Sequence, residues 1–593
     1  MRHKISTPTR RKRGPGPAPP AGRSHALDRW AATLAPATIA ALFVCVLVGY
    51  LDPGTPKSYI YQVILVLCLL IAAAGGRALV GFEGSADGQP AQPKAGTRLL
   101  FLAAIVAAAS LPYLHGLTIG FLADDFVLAA AAGAATPAEA MSSPVFRLFY
   151  RPATLLIWWL GMRLGDAAPL ALGILSLATH ILNSLLVYAI GRRVIGSLYG
   201  AALGAMLFAV HPLHVEPVLW RCCLSDLICT AFCLLSLLCL EIYLASPAKR
   251  HRVLAVAAGS AAFLLALLTK EAALALPGFV ILRLALARAD RLSWRSLTAA
   301  VPSLLTLALY LLLRLATFHQ VGGYPVSLQS WHVWLPAQAL RQIGTFLFPV
   351  HTALFSQVMG PYLRAAAIAL MAVGVVWWSR GLPYVPVRRL CLWLGFVFIM
   401  AVPVALFGSV TTLLVDSRFA YLPTIGLAWL FGDLCAGRGA HWRRGGASAA
   451  AIVAVAALLS VWYTMPWRAA DGLTRSILSA TDRVVDDIPG PPGDAILYVR
   501  DLPLRYVNAP VFNTGFAEAV RFRVPRVSAA YTVLPIRDII GQGTDSRMDP
   551  DVLDWSVLSP GEYVVAWRPA SERMEILRIG GSPRPEAAPG GAP

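Results

Sequence analysis

The chain has 593 residues, 57% hydrophobic and 14% charged, with a mean hydropathy of +0.64. Soluble domains carry about a quarter charged residues, so an ordinary soluble enzyme is excluded. The formal net charge of +19 would suit nucleic acid, yet Lys and Arg are confined to short segments between apolar runs: 10-RRKR-13, 191-GRR-193, 248-AKRHR-252, 288-RADRLSWR-295, 386-PVRRL-390 and 441-HWRRGG-446. Such segments stay on the cytoplasmic side of a membrane. Nucleic-acid binding would want the charges on one folded face with aromatics between them, and no nucleic-acid partner is expected.

Residues 1–30 form a basic, Pro- and Gly-rich tail predicted to be disordered and cytoplasmic. The first apolar run is not followed by a small-residue cleavage site, so it is expected to remain as a helix. A helix needs about 20 apolar residues to cross the hydrocarbon core. Helices are predicted near 31–51, 60–79, 99–119, 168–190, 197–212, 224–244, 253–268, 272–289, 298–317, 364–379, 389–410, 421–436 and 447–465. With the N-terminus inside the plasma (inner) membrane, these thirteen crossings put every basic segment on the cytoplasmic side, provided 335–355 lies at the interface. The expected fold is therefore an all-α polytopic membrane protein with a small extracytoplasmic tail domain, α/β or β, carrying strand-like pieces at 494–503 and 562–569. Its divisions are two extra helices and a linker over 31–98, a main transmembrane domain over 99–465, the tail domain over 466–580 and a disordered end over 581–593. The nine cysteines lie in or beside apolar runs, without the paired spacing of a disulfide framework or zinc site.

The chemistry-bearing residues fall at the outer ends of the helices. Asp124 and Asp125 follow the 99–119 helix; adjacent carboxylates repel, so one can act as a base while its neighbour orients a substrate or a divalent cation. The bland alternative is a helix cap and a solvated flank. Arg147 and Arg151 precede the 168–190 helix, and 211-HPLHVEPVLWRCCLSD-226 packs His211, His214, Glu216, Arg221 and Asp226 among apolar residues. Lys270 and Glu271 follow the 253–268 helix, where the Lys could pair with its neighbour, and Asp416 and Arg418 follow the 389–410 helix. Carboxylates and cations converging on one face describe a site that binds an anion and moves a proton. A transporter or flippase would place such groups near the midplane on broken helices.

Over 99–465 the chain resembles the multi-spanning glycosyltransferases of the C-type fold, which use polyprenyl-phosphate sugars. Among them it is most similar to the protein O-mannosyltransferases with tetratricopeptide repeats and their repeat-free bacterial relatives. The resemblance rests on Asp124–Asp125, Tyr150–Arg151–Pro152, 179-THILNSLLVY-188, 211-HPLHVEP-217, 269-TKE-271 and 417-SRFAYLP-423, in that order. It implies an inverting transfer from a polyprenyl-phosphate-linked sugar to a hydroxyl of a glycan, lipid or protein acceptor. Asp124 or Asp125 would be the base; Arg151, Lys270 and Arg418 would hold the departing phosphate; His211, His214, Glu216, Arg221, Asp226 and Glu271 would line the cavity. No cofactor is implied beyond a possible divalent cation, and membrane lipid surrounds the fold. Departures exist: the family's Gly-Arg-x-Asp reads Cys223-Leu224-Ser225-Asp226 here, and Ser417 replaces an acidic residue. The first of these keeps a catalytically degenerate scaffold of envelope glycan assembly as an alternative.

Overall fold

The computed structural model describes residues 95–133, 136–142, 149–287, 298–318, 345–346, 349, 385, 387–405, 414–436, 440–488, 495–535 and 560–579. The N-terminal tail, the helices expected at 31–51, 60–79 and 364–379, the end over 581–593 and nearly all of the 335–355 segment lie outside the described residues.

The main helices are α1 Ala95–Ser110, α2 Asp124–Ala132, α3 Pro152–Met162, α4 Ala168–Ile195, α5 Leu198–Ala209, α6 Leu224–Ala245, α7 Lys249–Thr269, α8 Leu276–Ala287, α9 Val301–Phe318, α10 Val387–Ala405, α11 Thr424–Leu434, α12 Ala440–Val484 and α13 Phe516–Arg523. Among the described residues six helical stretches are long and apolar enough to cross a membrane: Gly96–Gly116, Gly165–Ile195, Arg221–Ala245, Lys249–Thr269, Thr298–Thr317 and Ala449–Asp487. A bent pair, Leu198–Ala209 and Pro212–Leu219, makes a seventh if taken as one span. Large side chains such as Leu99, Leu305, Leu312 and Leu458 stand uncovered on these helices, which water would not tolerate in such density and lipid does. The chain is a mostly helical integral membrane protein.

Several boundaries differ from the expected ones. The helix expected over 197–212 stops at Ala209 and resumes past Pro212 at a 49° bend. Proline has no N–H to continue the ladder, and the His211 ring nitrogen Nδ1 takes the Leu213 N–H instead, 3.3 Å away. The pieces expected over 272–289 and 421–436 are helices of 12 and 11 residues. The last expected crossing, 447–465, is part of a 45-residue helix that continues through Pro466 to Val484. Past Pro466 the buried positions Trp467, Ala470, Asp471, Thr474, Ile477, Leu478, Thr481 and Val484 recur at helical spacing, so an amphipathic stretch prolongs the apolar one.

Two buried polar assemblies set the helices in register. In the first, the His180 Nε2–H donates to Ala209 O (2.9 Å), so Nδ1 must accept, and the Tyr421 hydroxyl donates to it at 2.8 Å. Asn183 Nδ2 donates to that hydroxyl and to Leu227 O. This joins α4, α6 and the turn before α11, and takes up His180 and Asn183 of 179-THILNSLLVY-188.

The second assembly is Arg221. Its side chain is buried and its guanidinium donates to the carbonyls of Pro169, Leu219, Gly116, Leu117 and Ile119 at 2.6–3.3 Å. Gly173 makes room: a Cβ there would sit 2.7 Å from the guanidinium carbon. Arg221→Met is expected to strip these carbonyls of their donor and lower stability by at least about 3 kcal/mol, read as a lower melting temperature of the full chain in detergent.

The described part of the tail holds a four-stranded sheet in the order β4-β1-β5-β6, from β1 Ala495–Arg500, β4 Tyr531–Pro535, β5 Glu562–Arg568 and β6 Arg573–Ile579. β1 is parallel to both neighbours and β5 is antiparallel to β6. The chain leaves β1 through a small hairpin, β2 Arg505–Tyr506 and β3 Ala509–Pro510, into α13. Parallel strands need such a crossover. Here it carries α13 onto α2, where Phe512 stacks on Phe126 (6.5 Å) and Phe522 lies 6.0 Å from Phe121.

Candidate active site

The segments around 120–125, 150–151, 211–226, 269–271 and 416–418 meet at one end of the helices. The opposite end is marked by Arg389, which donates to Ile195 O and pairs with Asp433.

Asp124 and Asp125 open α2, where carboxylates complement the helix dipole. Their environments differ. Asp125 is buried, and its Oδ2 accepts the Leu122 N–H (2.9 Å) while Oδ1 accepts the Cys222 N–H (2.6 Å). It thus stitches the 120–125 loop to the 211–226 loop. Burial pushes its carboxyl up to about 8, against the pull of those amides and of Arg221. Asp124 is half-buried, and its Oδ1 accepts the Thr514 hydroxyl from the tail. The loop before them is held by Asp471 Oδ1, which accepts the Gly120 N–H at 3.1 Å, and by Leu122 O, which accepts the Trp220 Nε1–H at 3.1 Å.

Asp125 makes a stability prediction with a definite sign. Its proton is held more tightly in the folded chain, where the carboxyl sits at about 8 instead of 3.8. Its contribution is therefore complete below the unfolded value and lost as pH rises through the folded one. The melting temperature should fall between about pH 4 and 8, and Asp125→Asn should flatten that slope. The amide would also face one backbone N–H with another N–H, costing about 1–3 kcal/mol at acid pH.

The cations are shared among carboxylates. Arg151 pairs with Glu271 (2.8 Å), which Arg314 also approaches at 3.6 Å. Lys270 pairs with Asp226 at 2.6 Å, not with its neighbour Glu271. Arg418 meets Glu216 (3.1 Å) and Asp416 (3.0 Å). Burial would lower the Arg151 and Arg418 guanidinium values, but the carboxylates beside them carry both upward, so both stay charged. Arg418 also lies over the rings of Trp220 (4.7 Å) and Phe419 (5.0 Å), and Lys270 lies 5.9 Å from the same Phe419 ring. Two cations thus border one aromatic ring, each with its charge largely countered until an anion competes for it.

Other residues singled out in the sequence are held in place. His211 Nε2 meets Phe346 O at 2.9 Å, and His214 bridges Phe208 O and Thr424 Oγ1 at 2.6 and 3.1 Å. Glu216 accepts the Ser417 N–H and hydroxyl as well as Arg418. That accounts for Ser417: an acidic side chain there would oppose Glu216, and Glu216 with Asp416 already supplies Arg418 with carboxylate. Arg221, by contrast, does not take the place of the arginine that Leu224 displaces, since its donors are engaged by carbonyls. Among the described residues no group of three His, Cys, Asp or Glu side chains is placed to hold a metal ion.

Sequence reasoning did not single out Arg314, Phe419, Trp220 or Thr514. Arg314 had a signal, as a lone charge in the apolar run 311–318. Thr514 had none; it lies 390 residues from the carboxylate it meets.

No family model matches the chain. A stretch of 92 residues, 15% of the chain, is 32% identical to Protein O-mannosyl-transferase F38B6.6 of Caenorhabditis elegans, and spans 13% of that protein's length. Among solved structures the chain is similar to ArnT from Cupriavidus metallidurans bound to undecaprenyl phosphate, at 14% identity over 81% of this chain and 94% of that one, with a TM-score of 0.41. The apo state of the same protein gives 15% identity, 80% and 93% coverage, and a TM-score of 0.41.

Proposed function

We propose that the chain is a membrane glycosyltransferase that moves a sugar from a polyprenyl-phosphate carrier to an acceptor hydroxyl at the outer face of the plasma membrane. The observation that carries this reading is Trp220. Its Nε1–H holds Leu122 O, two residues before Asp124, while its ring carries Arg418 at 4.7 Å. A candidate base and a candidate phosphate cation are thereby fixed to one indole. Asp124 takes the acceptor's proton as its oxygen attacks the anomeric carbon. The bond from that carbon to the phosphate oxygen breaks on the opposite side, inverting the centre. The departing phosphate gains negative charge, which Arg418 and Lys270 offset. Arg151, tied to Glu271, borders the same loops. The short likeness to a protein O-mannosyl-transferase is a further support. In this reading the chain crosses thirteen times, with a cytoplasmic N-terminus and the sheet domain outside.

The test compares lipids and glycans of cells with and without the gene. A polyprenyl-linked sugar should accumulate in the deletion strain while one glycan species loses a residue. If both pools are unchanged, the glycosyltransferase reading is wrong.

A further inference from the structure

We propose that Thr514, on the tail, is a positioning residue for Asp124, so that the tail completes the catalytic centre. This inference rests on the reading of Asp124 as the base. The loop that follows β3 brings Thr514 against the first turn of α2, and its hydroxyl donates to Asp124 Oδ1. That fixes which oxygen is engaged and leaves Oδ2 for the acceptor's proton.

The contact is built, not incidental. Gly515 adopts φ +75, and a Cβ there would stand 2.4 Å from Ala123 O, so the loop lies backbone to backbone on the residue before the base. Ala123 itself has φ 44, outside the usual regions for a side-chain-bearing residue. On either side, Phe512 stacks on Phe126 and Phe516 packs edge-on to Phe512 at 4.9 Å, anchoring the loop to α2. A passive cap would need the aromatic contacts alone; it would not need a hydroxyl aimed at the more exposed of two adjacent carboxylates.

Because the hydroxyl acts on the candidate base, its loss should lower kcat and leave the donor KM nearly unchanged.

The experiment uses the purified full-length chain, with the lipid extract of the deletion strain as donor and membranes of that strain as acceptor. Release of polyprenyl phosphate is followed by mass spectrometry. Thr514→Val should lower kcat about ten- to hundredfold with donor KM nearly unchanged; Thr514→Ser should restore kcat. Wild-type kcat in Thr514→Val, with Asp124→Asn inactive, overturns the positioning role and leaves the base in place. Equal losses in the Val and Ser variants mean packing only, and also overturn it. Full activity in Asp124→Asn removes the base assignment, and the inference with it.

Discussion

Asp124→Asn is expected to lose transfer by about 10²–10⁴ while folding and inserting normally. A hydroxyl acceptor is a weak nucleophile near neutral pH, so a group that removes its proton as the sugar bond forms matters to the rate. Asn keeps the shape of the side chain, and its carbonyl can still accept the Thr514 hydroxyl, but it cannot take the proton. Structurally the change is mild, because Asp124 is only half-buried. Losing a negative charge from the first turn of α2 costs about 0.3–1 kcal/mol. Asp125→Asn should behave the other way, since both of its oxygens are engaged by backbone amides: it damages stability first and transfer through it. The pair is separated by measuring melting temperature and transfer on the same preparations. Near-normal transfer by Asp124→Asn would falsify the base assignment and bring back the scaffold alternative.

The convergence of ionisable residues at one end of the helices was legible in the sequence because those residues mix carboxylates with cations at one set of helix ends, while the other flanks carry mainly Lys and Arg. Their pairing was not. Lys270 sits beside Glu271 in sequence, yet α7 ends at Thr269 and Lys270 takes up extended backbone, φ −158 and ψ 144. Side chains alternate along extended backbone, so the two neighbours diverge, one to Asp226 and the other to Arg151. Arg221 read as part of the cavity wall, because nothing in the sequence shows which carbonyls will lie within reach of a buried guanidinium. The length of α12 escaped for a different reason: a search for apolar runs ends at Pro466, where the pattern changes from uniformly apolar to amphipathic. In the motif 179-THILNSLLVY-188, one of the segments that carry the family resemblance, His180 and Asn183 form a structural network with Tyr421. These two residues hold α4 against the segment that carries Arg418.

Lys270→Met is expected to lower kcat/KM for the donor about tenfold to hundredfold, the usual worth of a charge-assisted contact. The single variant alone is ambiguous, because Lys270 Nζ lies 2.6 Å from Asp226 and its removal leaves a buried carboxylate without its partner. An unpaired buried charge is itself damaging, at about 3–5 kcal/mol. The double variant Lys270→Met with Asp226→Asn separates the two effects, since it removes both charges and relieves the unpaired one. If Lys270 serves only that pair, the double variant regains stability and donor use together. If Lys270 also meets the donor phosphate, stability returns while donor use stays low, and Asp226→Asn alone binds donor at least as well as the wild type, because the ammonium no longer has a competing carboxylate. Acceptor KM should change little in each case. Recovery of normal donor kinetics by the double variant would move Lys270 out of the phosphate site and leave Arg418, held against Trp220, as the principal cation facing the leaving group.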